Sequence, residues 1–151
     1  MFATIITLVD GTPATEHVLE SAIHLRSMAD SELMVMWVIP RPEQNDDSRS
    51  HGGPTPLVCN YRNGDIERDE VRAHVYLEGL RKKYDLDQST ITMTRVGDMG
   101  HQIKHVASSC HRPLLVLGTR HGRETAWDHT IAQQLVAEAT IPVLAVPMLH
   151  S

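Results

Sequence analysis

Short apolar runs rich in β-branched residues alternate along the chain with longer segments of helical periodicity. The first run, ATIITLV, covers residues 3–9 and is followed by a helical pattern over 14–29. Thr12 suits the cap of that helix, and Pro13 suits its first position. A second run, Glu32–Ile39, ends at a proline. Runs this short and this apolar predict strands buried on both faces, as in a parallel sheet.

The alternation continues along the sequence and predicts five strands and four helices. The remaining elements, in chain order, are a helix over 66–84, a strand over 90–96, a helix over 100–109, a strand over 113–117, a helix over 130–139 and a strand over 141–146. Parallel strands need crossover connections, and helices supply them. The pattern therefore predicts an α/β fold, a parallel sheet with right-handed crossovers and helices on both faces, in a single domain over 1–151.

The apolar positions of the predicted helices indicate which faces pack against the sheet, because a spacing of three or four residues brings side chains onto one face. The strand over 90–96 alternates polar with apolar residues, which predicts a position near a sheet edge. The side chains expected to be buried are Val18, Ala22, Leu25 and Ala29 in the first helix, Val71, Val75, Leu77 and Leu80 in the second, and Ile103, Val106 and Ala107 in the third.

Charge and cysteine usage argue against several classes of function. The formal net charge is −5, whereas non-specific nucleic-acid binding relies on an excess of Lys and Arg. Cys59 and Cys110 form no CxxC pair. The N-terminal apolar run stops at Asp10, which is too early for a signal core or a membrane span. We therefore expect a protein of the reducing cytoplasm that binds neither nucleic acid nor a membrane.

Residues 40–65 interrupt the alternation with prolines, glycines and polar residues. A segment of this length and composition predicts a long loop that is either functional or mobile. Both a lid over a ligand and a plain surface loop fit its composition.

A ligand of an open parallel sheet binds beyond the carboxyl ends of the strands, where the strand order reverses. Here those ends carry Asp10 and Gly11 after the first strand, Val38 in the second, and Gly118 after the fourth. Glycine allows the backbone to approach a ligand closely. Glycines also end strands in α/β proteins that bind nothing there, so each position taken alone has two interpretations.

Four motifs occur in an order and spacing typical of one family. They are VDGT at 9–12, Gly-Asp at 97–98 before the third helix, LLVLGTRHG at 114–122, and TIAQQLVAEATIPVLAVP at 130–147. Together they resemble the universal stress protein family, and the resemblance covers essentially the whole chain except residues 40–65.

The resemblance implies a flavodoxin-like, Rossmann-like sheet of strand order 3-2-1-4-5 and a homodimer formed through the last strand, Ile141 to Val146. It also implies a site for an adenine nucleotide, ATP or AMP, because many members of the family bind ATP. The implied contacts are Asp10 and the backbone of Val38 with adenine, Leu117 and Gly118 with ribose and phosphate, and Gly122 and Thr130 with the phosphates.

The phosphate-binding half of this pattern departs from the family. Members that bind ATP have two residues between the glycines that match Gly118 and Gly122, and nine more before a Gly-Ser pair. This chain has three residues between them and only seven before Thr130, with His129 in place of a glycine. A β-carbon limits the backbone conformations and the close approach that glycine allows, which predicts a weakened or altered phosphate site. The alternatives are phosphate binding by side chains such as Arg120, and a solvated loop.

No set of residues typical of catalysis or metal binding accompanies these motifs. His101 and His105 are four apart on a predicted helix, but a third ligand is not evident, so a solvated surface is preferred. The sequence has neither a GxSxG elbow nor a Walker motif beside Asp10. We therefore expect neither a catalytic residue nor a metal site, and a protein that is not an enzyme.

Three functions stay open on this sequence. The preferred one is a stress-response or signalling module that binds an adenine nucleotide at the carboxyl ends of the strands. The second is a dimeric protein-interaction member of the same family that binds no nucleotide, which the shortened loop supports. The third is a small phosphohydrolase, and fold analogy alone does not choose among them.

Overall fold

The computed structural model describes residues 2–40, 63–119 and 141–147. Their elements are β1 (Thr4–Leu8), α1 (Pro13–Ala29), β2 (Glu32–Ile39), α2 (Asn63–Lys83), β3 (Ile91–Val96), α3 (Met99–Ser108), β4 (Pro113–Thr119) and β5 (Val143–Pro147). The helix predicted over 130–139 and most of the loop predicted over 40–65 lie outside the described residues, although α2 begins three residues earlier than the sequence pattern indicated.

The described strands form one parallel sheet in the order β3-β2-β1-β4-β5. This confirms the predicted fold class and strand order, and it places β3 at an edge, as its alternating sequence predicted. Strand β1 lies at the centre and is buried at every position. Its composition of Thr, Ile and Leu suits a strand covered by helices on both faces.

The helices cover the two faces in the way that right-handed crossovers require. The first two crossovers run from β1 toward β3, and the third runs back across the sheet to β4. A constant right hand therefore puts α1 and α2 on one face and α3 on the other. The core divides accordingly: Ile5, Leu33, Val35, Leu114 and Val116 face α1 and α2, and Ile6, Leu8, Met36, Leu115 and Leu117 face α3.

The predicted burial is wrong at two of the four positions in α2. Val71 and Val75 are 63% and 64% exposed, whereas Leu77 and Leu80 are buried. Successive helical residues are rotated by about 100°, so the two valines lie on the side of α2 opposite the two leucines. The sequence offered two apolar stripes on α2, and only one of them contacts the sheet.

The other two helices follow the prediction more closely. Val18 and Ala22 of α1 are buried, and so are Ile103, Val106 and Ala107 of α3, while Leu25 and Ala29 are half-buried. Among residues 2–40, 63–119 and 141–147, no helix is both long enough and apolar enough to cross a membrane.

Candidate functional site

The central strand is shorter than its two neighbours, and this leaves a crevice at the carboxyl edge of the sheet. The last paired residues of β1 are Leu8 with Met36 of β2, and Thr7 with Val116 of β4. Strand β2 continues to Ile39 and β4 continues to Thr119. We call the space between these two extensions, beyond the end of β1, the β1 crevice. It lies where the chain order reverses, which is where open α/β sheets bind ligands.

Asp10 lies at the floor of the β1 crevice and is held by the residues that follow it. Its Oδ1 accepts hydrogen bonds from the backbone N–H of Thr12 at 2.9 Å and from the Thr12 hydroxyl at 2.6 Å. The Thr15 hydroxyl lies 2.9 Å from the same oxygen. Within the described part of the chain, Oδ2 receives no hydrogen bond. The carboxylate is thus fixed through one oxygen, and the other remains available as an acceptor.

The same turn starts helix α1. Thr12 is extended and caps the helix by accepting from the N–H of Thr15 at 3.4 Å, and Pro13 occupies the first turn, as the sequence predicted. Gly11 has a φ of +86°, in the left-handed region that favours glycine. The Thr12 hydroxyl therefore both caps α1 and orients Asp10, which couples the helix start to the site.

Sequence reasoning missed Thr15, a buried residue of the first turn of α1. Its hydroxyl accepts from the backbone N–H of Asp10 at 3.2 Å in addition to its contact with the carboxylate. The sequence shows a second threonine three residues after the cap. Its contact with Asp10 depends on how the backbone of residues 10–15 folds, which residue type alone does not predict.

Val38 presents backbone rather than side-chain groups to the β1 crevice. The carbonyl of Met36 accepts from Val9 N–H at 2.9 Å, so even-numbered residues of β2 direct their backbone toward β1. The carbonyl of Ile39 accepts from Gly97 N–H, so odd-numbered residues face β3. Val38 therefore points its N–H and C=O past the end of β1. No described residue outside the strands bonds to them.

Leu117 and Gly118 form the opposite wall, on β4. The buried Thr7 hydroxyl donates to the carbonyl of Val116 at 3.2 Å, at the last residue of β4 that pairs with β1. Leu117 and Gly118 follow, pair with β5 on their other side, and continue beyond β1. The Leu117 side chain is buried in the core against α3. The structure thus brings together Asp10, Val38, Leu117 and Gly118, while Gly122 and Thr130 lie outside the described residues.

Gly97 and Asp98, at the end of β3, serve the turn into α3 and the cap of that helix. The Asp98 side chain caps α3 by accepting from His101 N–H at 2.9 Å, and Gly97 has a φ of +142°. His101 and His105 are exposed on α3. In the described ranges, no three or more His, Cys, Asp or Glu side chains are grouped in a way that could hold a metal ion.

The sequence matches one family model. It is described as the Universal stress protein family, and the match covers residues 1–147. No curated protein sequence matches the chain significantly.

Solved structures share the fold over nearly the full chain at low sequence identity. Universal stress protein UspA from Lactobacillus plantarum is 14% identical with a TM-score of 0.68, covering 96% of this chain and 97% of that one. The hypothetical protein MJ0577 is 18% identical with a TM-score of 0.71, covering 100% and 99%. A universal stress protein in complex with cAMP is 15% identical with a TM-score of 0.62, covering 98% and 99%. At these identities the similarity establishes the fold.

Proposed function

The chain belongs to the universal stress protein family, and from that premise we propose that it is a non-enzymatic cytoplasmic stress-response or signalling module that binds an adenine nucleotide in the β1 crevice. The observation that carries the proposal is the short central strand, which leaves Asp10, Val38 and Gly118 around one opening. One structural relative is a complex with cAMP, which supports an adenine nucleotide as the ligand class.

The chemistry of the crevice suits an adenine ring and a ribose. The Val38 N–H and C=O supply one donor and one acceptor along a strand edge, the pattern that a purine edge complements. The Oδ2 atom of Asp10 is an acceptor for an exocyclic amine or a ribose hydroxyl. Gly118 has no β-carbon, so the sugar and first phosphate can approach the β4 backbone closely.

The sequence that follows β4 favours AMP over ATP as the ligand. ATP needs a phosphate cradle of several backbone N–H groups, and the shortened spacing from Gly118 to Thr130 with His129 removes part of that cradle. AMP, with one phosphate, needs less of it. We therefore propose AMP as the better ligand of the two, with Gly122 and Thr130 as residues near its phosphate.

Calorimetric titration with AMP and with Mg-ATP tests the proposal on protein that has been checked to be free of nucleotide. Asp10→Asn is the informative variant, because Asn keeps an Oδ1 that accepts from Thr12 and Thr15 but replaces the other oxygen with a donor. We expect AMP binding to weaken by at least about tenfold.

The matched control is Asp98→Asn, at the neighbouring strand end. Asn caps helices about as well as Asp, so α3 should be unaffected and AMP affinity unchanged. Absence of heat and of a thermal shift at millimolar AMP and ATP would exclude the nucleotide site and leave a protein-interaction module.

We also propose a homodimer formed through β5. Leu144 is 39% exposed and Ala145 is exposed, so the outer edge of β5 presents apolar side chains. The carbonyl of Pro142 accepts from Leu115 N–H, so even-numbered residues of β5 pair with β4 and Ala145 directs its backbone outward. An apolar open edge of this kind suits pairing with a second copy. A sedimentation mass equal to a monomer at micromolar concentration would contradict it.

A further inference from the structure

Trp37 supports the Asp10 turn from the face that α1 and α2 cover. It is half-buried on β2, next to Val38 but on the opposite face of the sheet. A β-carbon built on Gly11 would lie 3.0 Å from Cη2 and 3.5 Å from Cζ3 of the indole. The six-membered ring of Trp37 therefore lies directly against the backbone of Gly11, and the turn cannot move toward β2 without displacing it.

Tyr76 of α2 connects Trp37 to the first turn of α1. The two rings meet edge to face, with centroids 5.3 Å apart and planes at 73°. The Tyr76 hydroxyl donates to Oε2 of Glu16 at 2.6 Å. Glu16 in turn donates its backbone N–H to the carbonyl of Thr12 at 3.3 Å. The contacts thus form a closed path around the Asp10 turn, with Trp37 on one side and Glu16 on the other.

The electrostatics of Tyr76 agree with this proximity. Burial raises its pKa above the ordinary value, and the hydrogen bond to Glu16 and the negative charges of Glu16 and Asp10 raise it further. Tyr76 is therefore a neutral donor toward Glu16 at neutral pH. Asp10 is close enough for its charge to act on Tyr76, although no hydrogen bond joins the two side chains.

We infer that Trp37 and Tyr76 are positioning residues for the Asp10 turn, and that they make ligand affinity depend on how α2 packs against α1 and β2. The inference rests on the proposed nucleotide site. Hydrogen bonds from Thr12 fix the Oδ1 atom of Asp10. The position of Oδ2 therefore depends on how firmly the surrounding residues hold Gly11 and Thr12. A partner that shifts α2 would change affinity for the nucleotide, and by linkage the nucleotide would strengthen the packing of α2.

Tyr76→Phe and Tyr84→Phe form a matched pair that tests the inference. Both hydroxyls donate to Glu16. Tyr84, however, lies just after the end of α2, shares its hydroxyl proton between Glu16 and Glu20, and does not stack on Trp37. We expect Tyr76→Phe to weaken AMP binding by roughly fivefold, at the low end of typical couplings between sites. Tyr84→Phe should leave the affinity for AMP within about twofold of wild type, although it should shift Tm about as much as Tyr76→Phe does. Equal losses of affinity in the two variants would overturn the inference.

Hydrogen exchange at Gly11 and Thr12 in the protein without ligand separates this inference from the proposed function. Tyr76→Phe should speed exchange of these amides relative to wild type and to Tyr84→Phe, whether or not a nucleotide binds. If AMP does not bind but this difference is present, the nucleotide proposal fails and the positioning role stands. If exchange at Gly11 and Thr12 is the same in both variants, the positioning role is refuted.

Discussion

The two edge strands of the sheet, β3 and β5, differ in the polarity of their side chains. Strand β3 carries Thr and Arg side chains, and α2 attaches to its start through Arg81, which donates to the carbonyls of Asp87 at 2.8 Å and Thr90 at 3.0 Å. Strand β5 (VLAVP) has neither polar nor charged side chains, and Leu144 and Ala145 within it are exposed. Polar groups make an edge tolerate water, whereas an apolar edge needs another surface.

The start of β3 is further stabilised by a polar cluster that links it to α1. Arg26 of α1 donates to the Thr90 hydroxyl at 3.0 Å and pairs with the carboxylate of Asp87. Asp87 also accepts from the backbone of Ser89 and Thr90. The β3 edge is therefore stabilised within the chain, whereas the described residues around β5 supply no equivalent polar contacts. The dimer proposed above follows from this difference.

The largest expected effect comes from placing proline at the outward-facing position of each edge. Ala145 faces outward on β5, and because Gly97 N–H donates to the carbonyl of Ile39, odd-numbered residues of β3 pair with β2 and Thr94 faces outward. Proline removes one N–H and is tolerated at strand edges. Ala145→Pro should convert the dimer to a monomer in sedimentation at micromolar concentration, whereas Thr94→Pro should leave the dimer intact. A dimer that survives Ala145→Pro would place the interface elsewhere.

The next largest effect concerns the stability of the β3 edge. Arg81→Ala removes the donors to two backbone carbonyls and to the Thr92 hydroxyl. We expect the free energy of unfolding to fall by about 1–2 kcal/mol, because charge-assisted hydrogen bonds are lost at a partly exposed position. Urea denaturation measures it, with Lys82→Ala as the control on the next residue of α2. A change under about 0.5 kcal/mol would show that the edge does not depend on Arg81.

A smaller effect is expected from acid at the same edge. Hydrogen bonds from Ser89, and then the Arg26 guanidinium and the Thr90 hydroxyl, lower the pKa of Asp87 from 3.8 to about 2. Because the pKa is lower in the folded state, the stabilisation is present above about pH 4 and is lost as the pH falls toward 2. Urea midpoints at pH 5 and pH 2.5 should therefore differ less in Asp87→Asn than in wild type. An identical difference in both proteins would contradict this assignment.

The smallest effect tests whether exposed apolar residues alone identify an interface. Val75 is 64% exposed on the outer face of α2, and Leu144 is 39% exposed on β5. Val75→Thr should change the free energy of unfolding by less than about 0.5 kcal/mol and leave the sedimentation mass unchanged. Leu144→Thr should raise the dissociation constant of the dimer. If Val75→Thr weakens the dimer as much as Leu144→Thr does, the interface includes α2 and the contrast between the edges fails.

Much of the fold was predictable because burial repeats with the period of each element. The alternation of apolar runs and helical patterns predicted the parallel sheet, and the buried faces of α1 and α3 followed from their spacing. Val71 and Val75 show the limit: α2 carries apolar residues on two sides, and the spacing by itself does not say which side the sheet covers. The family resemblance added the strand order, which periodicity does not provide.

Part of the candidate site was also accessible from the sequence. Asp10, the cap Thr12 and Pro13 are neighbours in the chain, and their roles in the turn depend on local backbone geometry that residue type predicts. Val38 and Gly118 came from the rule that ligands bind at strand ends, together with the resemblance.

By itself, then, the sequence determined the order of the elements, the start of α1 and the residue types at the strand ends, because these depend on neighbours within a few positions. The depth of the β1 crevice came from the packed sheet, since it depends on how far β2 and β4 extend past β1. The same holds for Tyr76, which reaches Glu16 across 60 residues of sequence. Pairings over such separations are set by the packing of whole elements, and no local pattern encodes them.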